Sequence, residues 1–434
     1  MTDAVVVGGG LSGLVAARHL ADAGIDVTLL ERESEVGGRV RSHREDEFVF
    51  DRGFQVLFPQ YPAVARELDL DALDLRRFKP GATLVRPHER TTLSDPLRDP
   101  KAFTATAFNR DVTLGDKLRT LRLRRELGRK SVEELDRADD TSIEEYLTSR
   151  GFSERFRTRF AAPFYGGITL DRSLSTSAFV FEYTFKMLTQ GPAAVPAGGM
   201  GEISDQLARF AREAGTTIET KTTVEAVNPA GESSADGAVV ETAAETIEAD
   251  AVVVATDAPT ARELTGVTSI PTAARGCVTQ YFSLPRSQHF AGADRLFLNV
   301  ADDRPNQVSV LSAVAPGYAP EESQLLSATF LGAQSATDDE LAEEVRAALA
   351  SWFPENRFEE LELCRTDRIP FAQLEQPPGF TREWPDVDAP EGAVYLAGEY
   401  TSWSSIQGAL ESGRDAASVV QGDLTRGESR EGDV

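Results

Sequence analysis

Apolar and polar residues follow a regular pattern over the first 31 positions of the chain. Residues 4–7 form a short apolar run, which is typical of a buried strand. Leu14, Ala17 and Leu20 follow at helical spacing, and residues 27–30, three of which are apolar, form a second short stretch of strand character. The pattern therefore predicts a strand, a tight turn, a helix and a second strand.

Similar patterns recur later in the chain. Helical spacing predicts further helices, and continuous or alternating apolar stretches predict further strands. The predicted helices are residues 202–214, 338–352 and 407–420, and the predicted strands are residues 216–227, 238–247, 250–256 and 394–397. Residues 57–193 carry long helical patterns and few strand signals instead.

Three separate stretches with strand-and-helix character predict an α/β protein of two interleaved domains. We assign residues 1–56, 194–270 and 385–424 to a Rossmann-like, dinucleotide-binding domain that is discontinuous in sequence. Residues 57–193 and 271–384 are predicted to form an inserted α+β substrate domain with a helical insertion. The polar residues 425–434 are expected to be a disordered tail.

A glycine turn joins the first predicted strand to the first predicted helix. Gly8, Gly10 and Gly13 make the pattern Gly-x-Gly-x-x-Gly. The first glycine permits the turn, the second lets the backbone approach a pyrophosphate, and the third lets helix and strand pack closely. Glu31 lies 18 residues beyond Gly13, where its carboxylate can accept both hydroxyls of an adenosine ribose and would repel a 2′-phosphate. The sequence thus predicts a dinucleotide site that does not take NADP.

The net charge argues against one class of protein and favours another. Seventy acidic residues against 45 basic ones give −25, and only six of the basic residues are lysine. General nucleic-acid binders carry a basic surface, so we expect no nucleic-acid partner. Strong acidity with scarce lysine favours a halophilic protein that stays soluble at high salt. An acidic protein from ordinary salt remains the alternative.

The cysteines, the histidines and the short apolar runs argue against disulfide-rich, metal-binding and membrane-spanning proteins. Cys277 and Cys364 are too few for a disulfide framework, and the four histidines lack paired metal-ligand spacing. We therefore expect no metal site. The apolar runs are shorter than the ~18 residues of a spanning helix, and no leader pattern opens the sequence. We expect a cytoplasmic location.

A second motif follows the acidic residue at the end of the second strand. Six residues after Glu31 come Gly37, Gly38 and Arg39, and this Glu-x5-Gly-Gly-Arg pattern resembles the flavin-containing amine oxidoreductase superfamily. That superfamily includes monoamine and polyamine oxidases, protoporphyrinogen oxidases and carotenoid desaturases. The resemblance continues in residues 50–53, 196–201, 223–225, 396–400 and 405–409. It covers both ends and the middle third of the chain.

The resemblance implies a non-covalent FAD bound in a glutathione-reductase-like fold. Backbone at Val224 would hold adenine and Glu399 the ribityl chain, while the helix near Gln407 would point its N-terminus at the flavin N1/O2 edge. No cysteine lies in the C-terminal motif, so a thioether to flavin is not expected. The predicted cofactor-binding residues are Gly8, Gly10, Leu11, Ser12, Gly13, Glu31, Arg32, Gly38, Arg39, Gly53, Phe54, Val224, Thr256, Gly398, Glu399, Ile406, Gln407 and Ala409.

Departures from the amine oxidase pattern indicate which branch of the superfamily this chain resembles. That branch uses a lysine in a later segment, whereas no lysine follows Lys221, and it has an aromatic residue where this chain has Ser405. Residues 398–401 and 405–409 look like carotenoid desaturases, and residues 163–167 are similar to a segment that desaturases share with protoporphyrinogen oxidases. The resemblance implies an FAD-dependent oxidoreductase that takes a hydride from a C–H bond of a large apolar or polycyclic substrate.

Two alternative functions stay open, a flavin amine oxidase and a non-catalytic lipid-binding carrier on the same fold. We assign no catalytic residue from the sequence. Phe54, Gln55, Tyr165 and Trp403 are candidate pocket residues, and plain core packing is the alternative for each of them.

One segment is basic, although the chain as a whole is acidic. Residues 117–130 carry seven basic residues against Glu126 alone, and Leu114, Leu118 and Leu121 follow helical spacing beside them. A basic amphipathic helix can lie on an anionic membrane, so peripheral membrane contact is one hypothesis. A solvated helix whose arginines pair with the acidic body is the other.

Overall fold

In the computed structural model, strands and helices alternate along most of the chain, and residues 2–95, 98–136, 139–231 and 236–431 are described. The strands are β1 (Asp3–Val7), β2 (Asp26–Glu31), β3 (Ser42–Glu45), β4 (Phe48–Asp51), β5 (Arg76–Arg77), β6 (Ala82–Arg86), β7 (Glu89–Leu93), β8 (Ala194–Val195), β9 (Thr217–Thr220), β10 (Val224–Pro229), β11 (Ala238–Thr242), β12 (Thr246–Ala249), β13 (Ala251–Val254), β14 (Ala274–Pro285), β15 (Leu296–Asn299), β16 (Gln307–Val310), β17 (Ser323–Leu331), β18 (Glu362–Leu374) and β19 (Val394–Leu396). The helices are α1 (Leu11–Asp22), α2 (Pro62–Glu67), α3 (Phe103–Phe108), α4 (Leu114–Leu127), α5 (Ile143–Ser149), α6 (Glu154–Phe156), α7 (Ala162–Thr169), α8 (Ala178–Gln190), α9 (Gly201–Ala214), α10 (Ala258–Thr265), α11 (Leu311–Val314), α12 (Asp338–Trp352) and α13 (Ile406–Glu431).

A five-stranded parallel sheet carries the first strand and the glycine turn. Its strand order is β19-β13-β1-β2-β9, and all four pairings are parallel. Val6 lies opposite Leu29 on one side and Val253 on the other. Strand β13 is wholly apolar and wholly buried, as expected where both faces of a parallel sheet are covered. This sheet confirms the predicted α/β fold class.

Helix α1 packs against α9 and α13. Its residues Leu14, Val15 and Leu20 are fully buried. A Cβ atom at Gly413 would lie 2.2 Å from the backbone oxygen of Ser12, so α13 approaches α1 at a position where only glycine fits. This packing fixes the N-terminus of α1 directly after the carboxyl end of β1.

The second large sheet has seven strands in the order β18-β14-β17-β16-β15-β6-β7. Its pairings are antiparallel except for that of β15 with β6. Strands β6 and β7 come from the stretch in which the sequence gives few strand signals. They are five residues each, and their place at the sheet edge depends on partners that are distant in sequence.

Several predicted elements match the structure closely. Helix α12 spans the predicted residues 338–352 and begins at a capping box on Thr337 and Glu340. The single strand predicted over residues 216–227 divides into β9 and β10, because Lys221 adopts a φ of 60° between them. After this break, β9 pairs with β2 and β10 pairs with β11.

The C-terminal end differs from the predicted disordered tail. Helix α13 runs from Ile406 to Glu431, and residues 432–434 lie outside the described part. Leu410, Ala417 and Val420 anchor its first half in the core, and extending an existing helix costs little free energy. Although α13 is 26 residues long, none of the described helices is long and apolar enough to cross a membrane.

Candidate functional site

A cavity of about 1250 Å³ is lined by the glycine turn, the C-terminal motif and residues of the seven-stranded sheet. The predicted cofactor-binding residues all line this cavity except Gly13 and Gln407. The four candidate pocket residues, Phe54, Gln55, Tyr165 and Trp403, line it as well. The structure thus brings together motifs that are almost 400 positions apart in the sequence.

The glycine turn leaves an open cradle at the start of α1. Gly8 adopts a φ of 108°, which favours glycine. A Cβ atom at Gly10 would meet nothing within 4 Å and would occupy the cavity instead. Gly10 is also the N-cap of α1 and provides no side-chain cap, so the first N–H groups of the helix face the cavity and suit a phosphate.

Gly13 has a packing role, which agrees with its predicted part in the motif. A Cβ atom at this position would lie 2.0 Å from the backbone oxygen of Gly8 and 3.2 Å from the Cβ atom of Ala255. Gly13 therefore lets α1 approach β1 and β13, and it shapes the cavity without lining it.

Glu31 lies at the end of β2 with 8% of its surface exposed. Its Oε2 accepts a hydrogen bond from the Gly9 N–H at 2.7 Å, and its Oε1 accepts one from the Glu33 N–H at 2.9 Å. A carboxylate has about four acceptor positions, so two remain for ribose hydroxyls. The carboxylate therefore both fixes the glycine turn and can bind the cofactor.

Three predicted residues surround the neighbouring part of the cavity. Arg32, Val224 and Thr256 line it, and Nη2 of Arg32 lies 3.4 Å from Oδ2 of Asp257. The backbone of β10 at Val224 is where the resemblance places adenine. These contacts give the adenosine end a mixture of apolar and polar surface.

An ion pair joins the second and the last motifs. Nη1 of Arg39 lies 2.6 Å from Oε1 of Glu399, and Glu399 also accepts a hydrogen bond from Ser404 Oγ at 2.6 Å. Arg39 further donates to the backbone oxygen of Ala372 at 3.2 Å. The Glu399 carboxylate is 7% exposed and the Arg39 side chain 34%, so the pair lies beside the cavity with its acidic partner buried.

The start of α13 lines the cavity, but one of its side chains is turned away. Ile406 and Ala409 line the cavity. The Gln407 side chain is 1% exposed, and its Oε1 accepts a hydrogen bond from the Ala63 N–H at 2.8 Å. Its carboxamide therefore ties α13 to α2 and does not reach the cavity.

Gly53 and Phe54 are held by the seven-stranded sheet. The Gly53 N–H donates to Asp367 Oδ2 at 3.3 Å, and the Phe54 N–H donates to Thr279 Oγ1 at 3.4 Å. Both residues line the cavity. Gln55 Nε2 donates to the backbone oxygen of Arg39 at 2.9 Å, which links this segment to the ion pair.

A buried carboxylate on β4 lies behind this segment. Asp51 accepts hydrogen bonds from Ser42 Oγ at 2.6 Å, Met200 N–H at 2.8 Å and Tyr318 OH at 2.8 Å. The hydroxyl of Tyr281 donates to the Asp51 backbone oxygen at 2.6 Å. Burial raises the pKa of Asp51 from 3.8 to about 6.

The other end of the cavity is apolar. Phe156, Phe160 and Phe164 follow one another along neighbouring helical turns, with ring centroids 5.5 and 5.4 Å apart. Further lining residues there are Tyr165, Ile168, Phe185, Leu188, Leu296 and Trp403. Burial raises the pKa of Tyr165 well above its ordinary value, so its hydroxyl remains neutral.

Two lining residues carry no signal in the sequence. Cys277 and Gln307 lie on β14 and β16 of the seven-stranded sheet and line the cavity. Burial raises the pKa of the Cys277 thiol to about 11, so it is protonated near neutral pH. Only the pairing of strands distant in sequence places these side chains here. Among the described residues, no cluster of His, Cys, Asp and Glu could hold a metal ion.

These contacts fit FAD. The uncapped helix start and the open Gly10 position suit a pyrophosphate, Glu31 suits a ribose, and Arg39 with Glu399 lies between the turn and the start of α13. The cavity continues past Gly53 and Phe54 into the apolar part, so a dinucleotide and a large substrate can occupy it together.

Comparison with known proteins identifies the family. The model of the flavin containing amine oxidoreductase family matches residues 11–421. A carotenoid 3,4-desaturase from Haloarcula japonica is 28% identical over 308 residues, which cover 59% of this chain and 56% of that protein. The match thus spans little more than half of this relative.

Solved structures share the fold across nearly the whole chain. An oxidoreductase from Methanosarcina mazei has a TM-score of 0.72 and 18% identity, covering 97% of this chain and 100% of that one. Cyclohexylamine oxidase from Brevibacterium oxydans has a TM-score of 0.69 and 18% identity, covering 98% and 99%. With its motifs gathered at one cavity and the family matched over residues 11–421, the chain belongs to the flavin containing amine oxidoreductases, and its cofactor is FAD.

Proposed function

We propose that this protein is an FAD-dependent oxidoreductase that removes a hydride from a C–H bond of a large apolar substrate, with a polyene as the substrate class. The observation that carries the proposal is the single cavity, which joins the dinucleotide cradle to a wall of aromatic and aliphatic side chains. When bound, FAD supplies a two-electron acceptor for the hydride. A proton released from the neighbouring carbon to the solvent would balance the loss of the hydride and complete a new double bond.

The side chains of the apolar end act by positioning and by excluding water. The Phe156–Phe160–Phe164 wall provides contact area for a flat, extended molecule. Tyr165 and Cys277 stay neutral because burial raises both pKa values. Neither side chain supplies a charge that would favour water over an apolar substrate, so orientation of the C–H bond is the main contribution of this end.

The relative from Haloarcula japonica supports the polyene class, since it is named a carotenoid 3,4-desaturase. The same relative and the net charge of −25 support our proposal that the protein works at high salt. FAD bound without a covalent link is proposed too, because the thiol that lines the cavity is protonated near neutral pH.

A flavin amine oxidase is the second candidate, favoured by the fold shared with cyclohexylamine oxidase. The cavity gives it less support. Its lining lysines are Lys79, which is paired with Asp294, and Lys117, which donates to the backbone oxygen of Ala107 at 2.9 Å. Ser405 lines the cavity at the position where the amine oxidase branch has an aromatic residue.

Product analysis tests the polyene proposal. The FAD-loaded protein is incubated with lycopene and a quinone acceptor, and products are followed by mass spectrometry. We expect a product lighter by two hydrogen atoms, with absorption moved to longer wavelength because conjugation is extended. Conversion of aliphatic amines without any conversion of polyenes would support the second candidate instead.

We further propose that α4 contacts a membrane peripherally, in the cytoplasm, beside the mouth of the cavity. Leu114, Leu118 and Leu121 are 72%, 60% and 49% exposed, and they are the large apolar residues that stand out as exposed among the described ones. Leu114 and Leu121 also line the cavity. An apolar substrate could therefore pass from lipid into the cavity without crossing water.

The structure divides the arginines of α4 into two sets. Arg124 lies 2.5 Å from Asp95, which fits the interpretation of a solvated helix paired with the acidic body. Arg122 and Arg125 are exposed, and no ion pair joins either of them to another described residue. These two exposed arginines of α4 are therefore available to anionic lipid.

Vesicle binding tests the membrane proposal. We expect changing Arg122 and Arg125 to Glu to abolish the salt-sensitive part of binding to anionic vesicles. Salt weakens this part because the Debye length falls from about 10 Å at 0.1 M to about 3 Å at 1 M. The matched control changes Arg209 and Arg212, which are exposed on α9, to Glu. Equal loss of binding in both double variants would contradict the proposal.

A further inference from the structure

Gln307 is a buried polar residue in the apolar part of the cavity. It lies on β16, is 3% exposed and lines the cavity. Its Oε1 accepts a hydrogen bond from Asn306 Nδ2 at 2.6 Å. No described residue accepts a hydrogen bond from its Nε2, so the amide has one donor group left for a ligand.

The neighbours of Asn306 fix which atom of Gln307 is left over. Asn306 Nδ2 also donates to the backbone oxygen of Pro163 at 3.2 Å, and Asn306 Oδ1 faces Arg172 Nη1 at 3.4 Å. The Asn306 amide therefore presents a donor to Gln307. Reversing the Gln307 amide would place two donors against each other, so the Nε2 group is the one that remains free.

A glycine makes room for this side chain. A Cβ atom at Gly167 on α7 would lie 2.2 Å from Gln307 Oε1 and 3.0 Å from its Cδ. Gly167 also lines the cavity. The helix thus lacks a side chain at the point where the amide passes it.

The strand register sets the distance between Gln307 and the segment of Gly53 and Phe54 at the cofactor end of the cavity. Directly opposite residues across neighbouring strands are Asp367 and Thr279, Thr279 and Thr329, and Thr329 and Gln307. Their side chains share one face of the sheet. Phe54 is anchored on Thr279, and two strand spacings put Gln307 about 10 Å further along this row.

From this geometry we propose that Gln307 recognises an oxygen atom on the substrate. The preferred substrate is then an apolar polyene that carries a hydroxyl or carbonyl oxygen. The inference rests on the proposed function, because it takes the apolar part of the cavity as the substrate site. A buried amide that meets only hydrocarbon loses its hydrogen bond, which disfavours the unoxidised molecule.

Ligand binding tests the assignment without requiring turnover. The probes are lycopene and the same polyene with one hydroxyl on a terminal carbon, each added in detergent micelles to the FAD-loaded protein. Quenching of tryptophan fluorescence reports binding, since Trp403 lines the cavity. We expect the hydroxylated polyene to bind about 3- to 10-fold more tightly than lycopene, the range of a net neutral hydrogen bond.

Gln307→Met keeps the length of the side chain and removes its donor. It should bind the hydroxylated polyene more weakly and lycopene more tightly, so that the preference disappears. Ser309→Ala is the matched control, because Ser309 lies two residues along β16, is 1% exposed and does not line the cavity. It should keep the preference.

The outcomes separate this inference from the proposed function. Equal binding of both polyenes to the unaltered protein, which needs no variant to fold, would overturn the inference alone. A preference that persists in Gln307→Met would overturn it as well. Binding of neither polyene would contradict the polyene substrate class and the role of Gln307 together.

Discussion

The two ends of the cavity are built on different principles. At the cofactor end, Glu31 is held by two backbone N–H groups, and Arg39 is paired with Glu399 at 2.6 Å. At the other end, aromatic side chains form the wall and Gln307 supplies one polar group. The first end fixes directions of hydrogen bonds before a ligand arrives, whereas the second offers area and shape. Changes at one end should therefore leave binding at the other largely intact.

The largest expected effect is the contrast between two glycines of one turn. Gly13→Ala places a Cβ atom 2.0 Å from the Gly8 oxygen, so we expect the free energy of unfolding to fall by about 3 kcal/mol. Gly10→Ala meets no protein atom within 4 Å and should leave the FAD-free protein nearly as stable. Chemical denaturation of the apoprotein measures both.

In FAD affinity, unlike in stability, Gly10→Ala should be the more strongly impaired of the two glycine variants. The methyl group of Gly10→Ala occupies the space of the pyrophosphate, so FAD affinity should fall at least about tenfold in a protein that remains folded. If Gly10→Ala retains normal affinity, the cradle is not the phosphate site.

Asp51 tests whether a buried carboxyl group makes the stability of the protein depend on pH. Its pKa is 3.8 ordinarily and about 6 in the folded protein, so its protonated form is favoured by folding. The stability it contributes is present below pH 3.8 and is lost as the pH rises through about 6, a change of about 3 kcal/mol.

Asp51→Asn is always neutral and should remove this part of the pH dependence. Denaturation at pH 4.5 and pH 7 measures the difference between the two proteins, so that effects of the other acidic residues cancel. Identical pH dependence of the two would show that Asp51 keeps an ordinary pKa.

The next prediction concerns the cofactor end of the cavity alone. Glu31→Ala removes charged hydrogen bonds worth about 1.5–3 kcal/mol, so FAD should dissociate roughly 10- to 100-fold more readily. Glu35→Ala, an exposed acidic residue that does not line the cavity, is the control and should bind FAD normally. Fluorescence of released flavin gives both dissociation constants, and equal values would remove Glu31 from the site.

The smallest expected effect isolates the apolar end. Phe164→Ala removes one ring of the Phe156–Phe160–Phe164 wall, and polyene affinity should fall about tenfold through lost apolar contact. FAD affinity should stay unchanged. A parallel loss of FAD in this variant would mean that the two ends do not bind independently.

The same contrast explains what the sequence could predict. Gly8, Gly10 and Glu31 belong to one local strand–turn–helix unit, so their spacing alone indicates the cofactor site. Spacing alone does not show which way a side chain points. Gln407 has its expected place in the C-terminal motif, but its side chain turns toward Ala63.

The apolar end depends on contacts that no local pattern contains. Gln307 reaches the cavity only after β16 pairs with β17 and β17 with β14. Strand β6 likewise pairs in parallel with β15, more than 200 residues away, and β7 pairs with β6. Tertiary pairing decides such positions, which is why the sequence does not indicate Gln307 as a pocket residue.

Anaerobic titration of the purified protein tests the central claim, hydride removal from an apolar substrate, most directly. The FAD-loaded protein is mixed without oxygen with a polyene, a porphyrinogen or an aliphatic amine in turn, and the visible flavin absorption is recorded. We predict that the absorption is lost with the polyene, more slowly with Phe164→Ala, and is retained with the amine. Loss of flavin absorption with the amine alone, or with none of the three, would contradict the account.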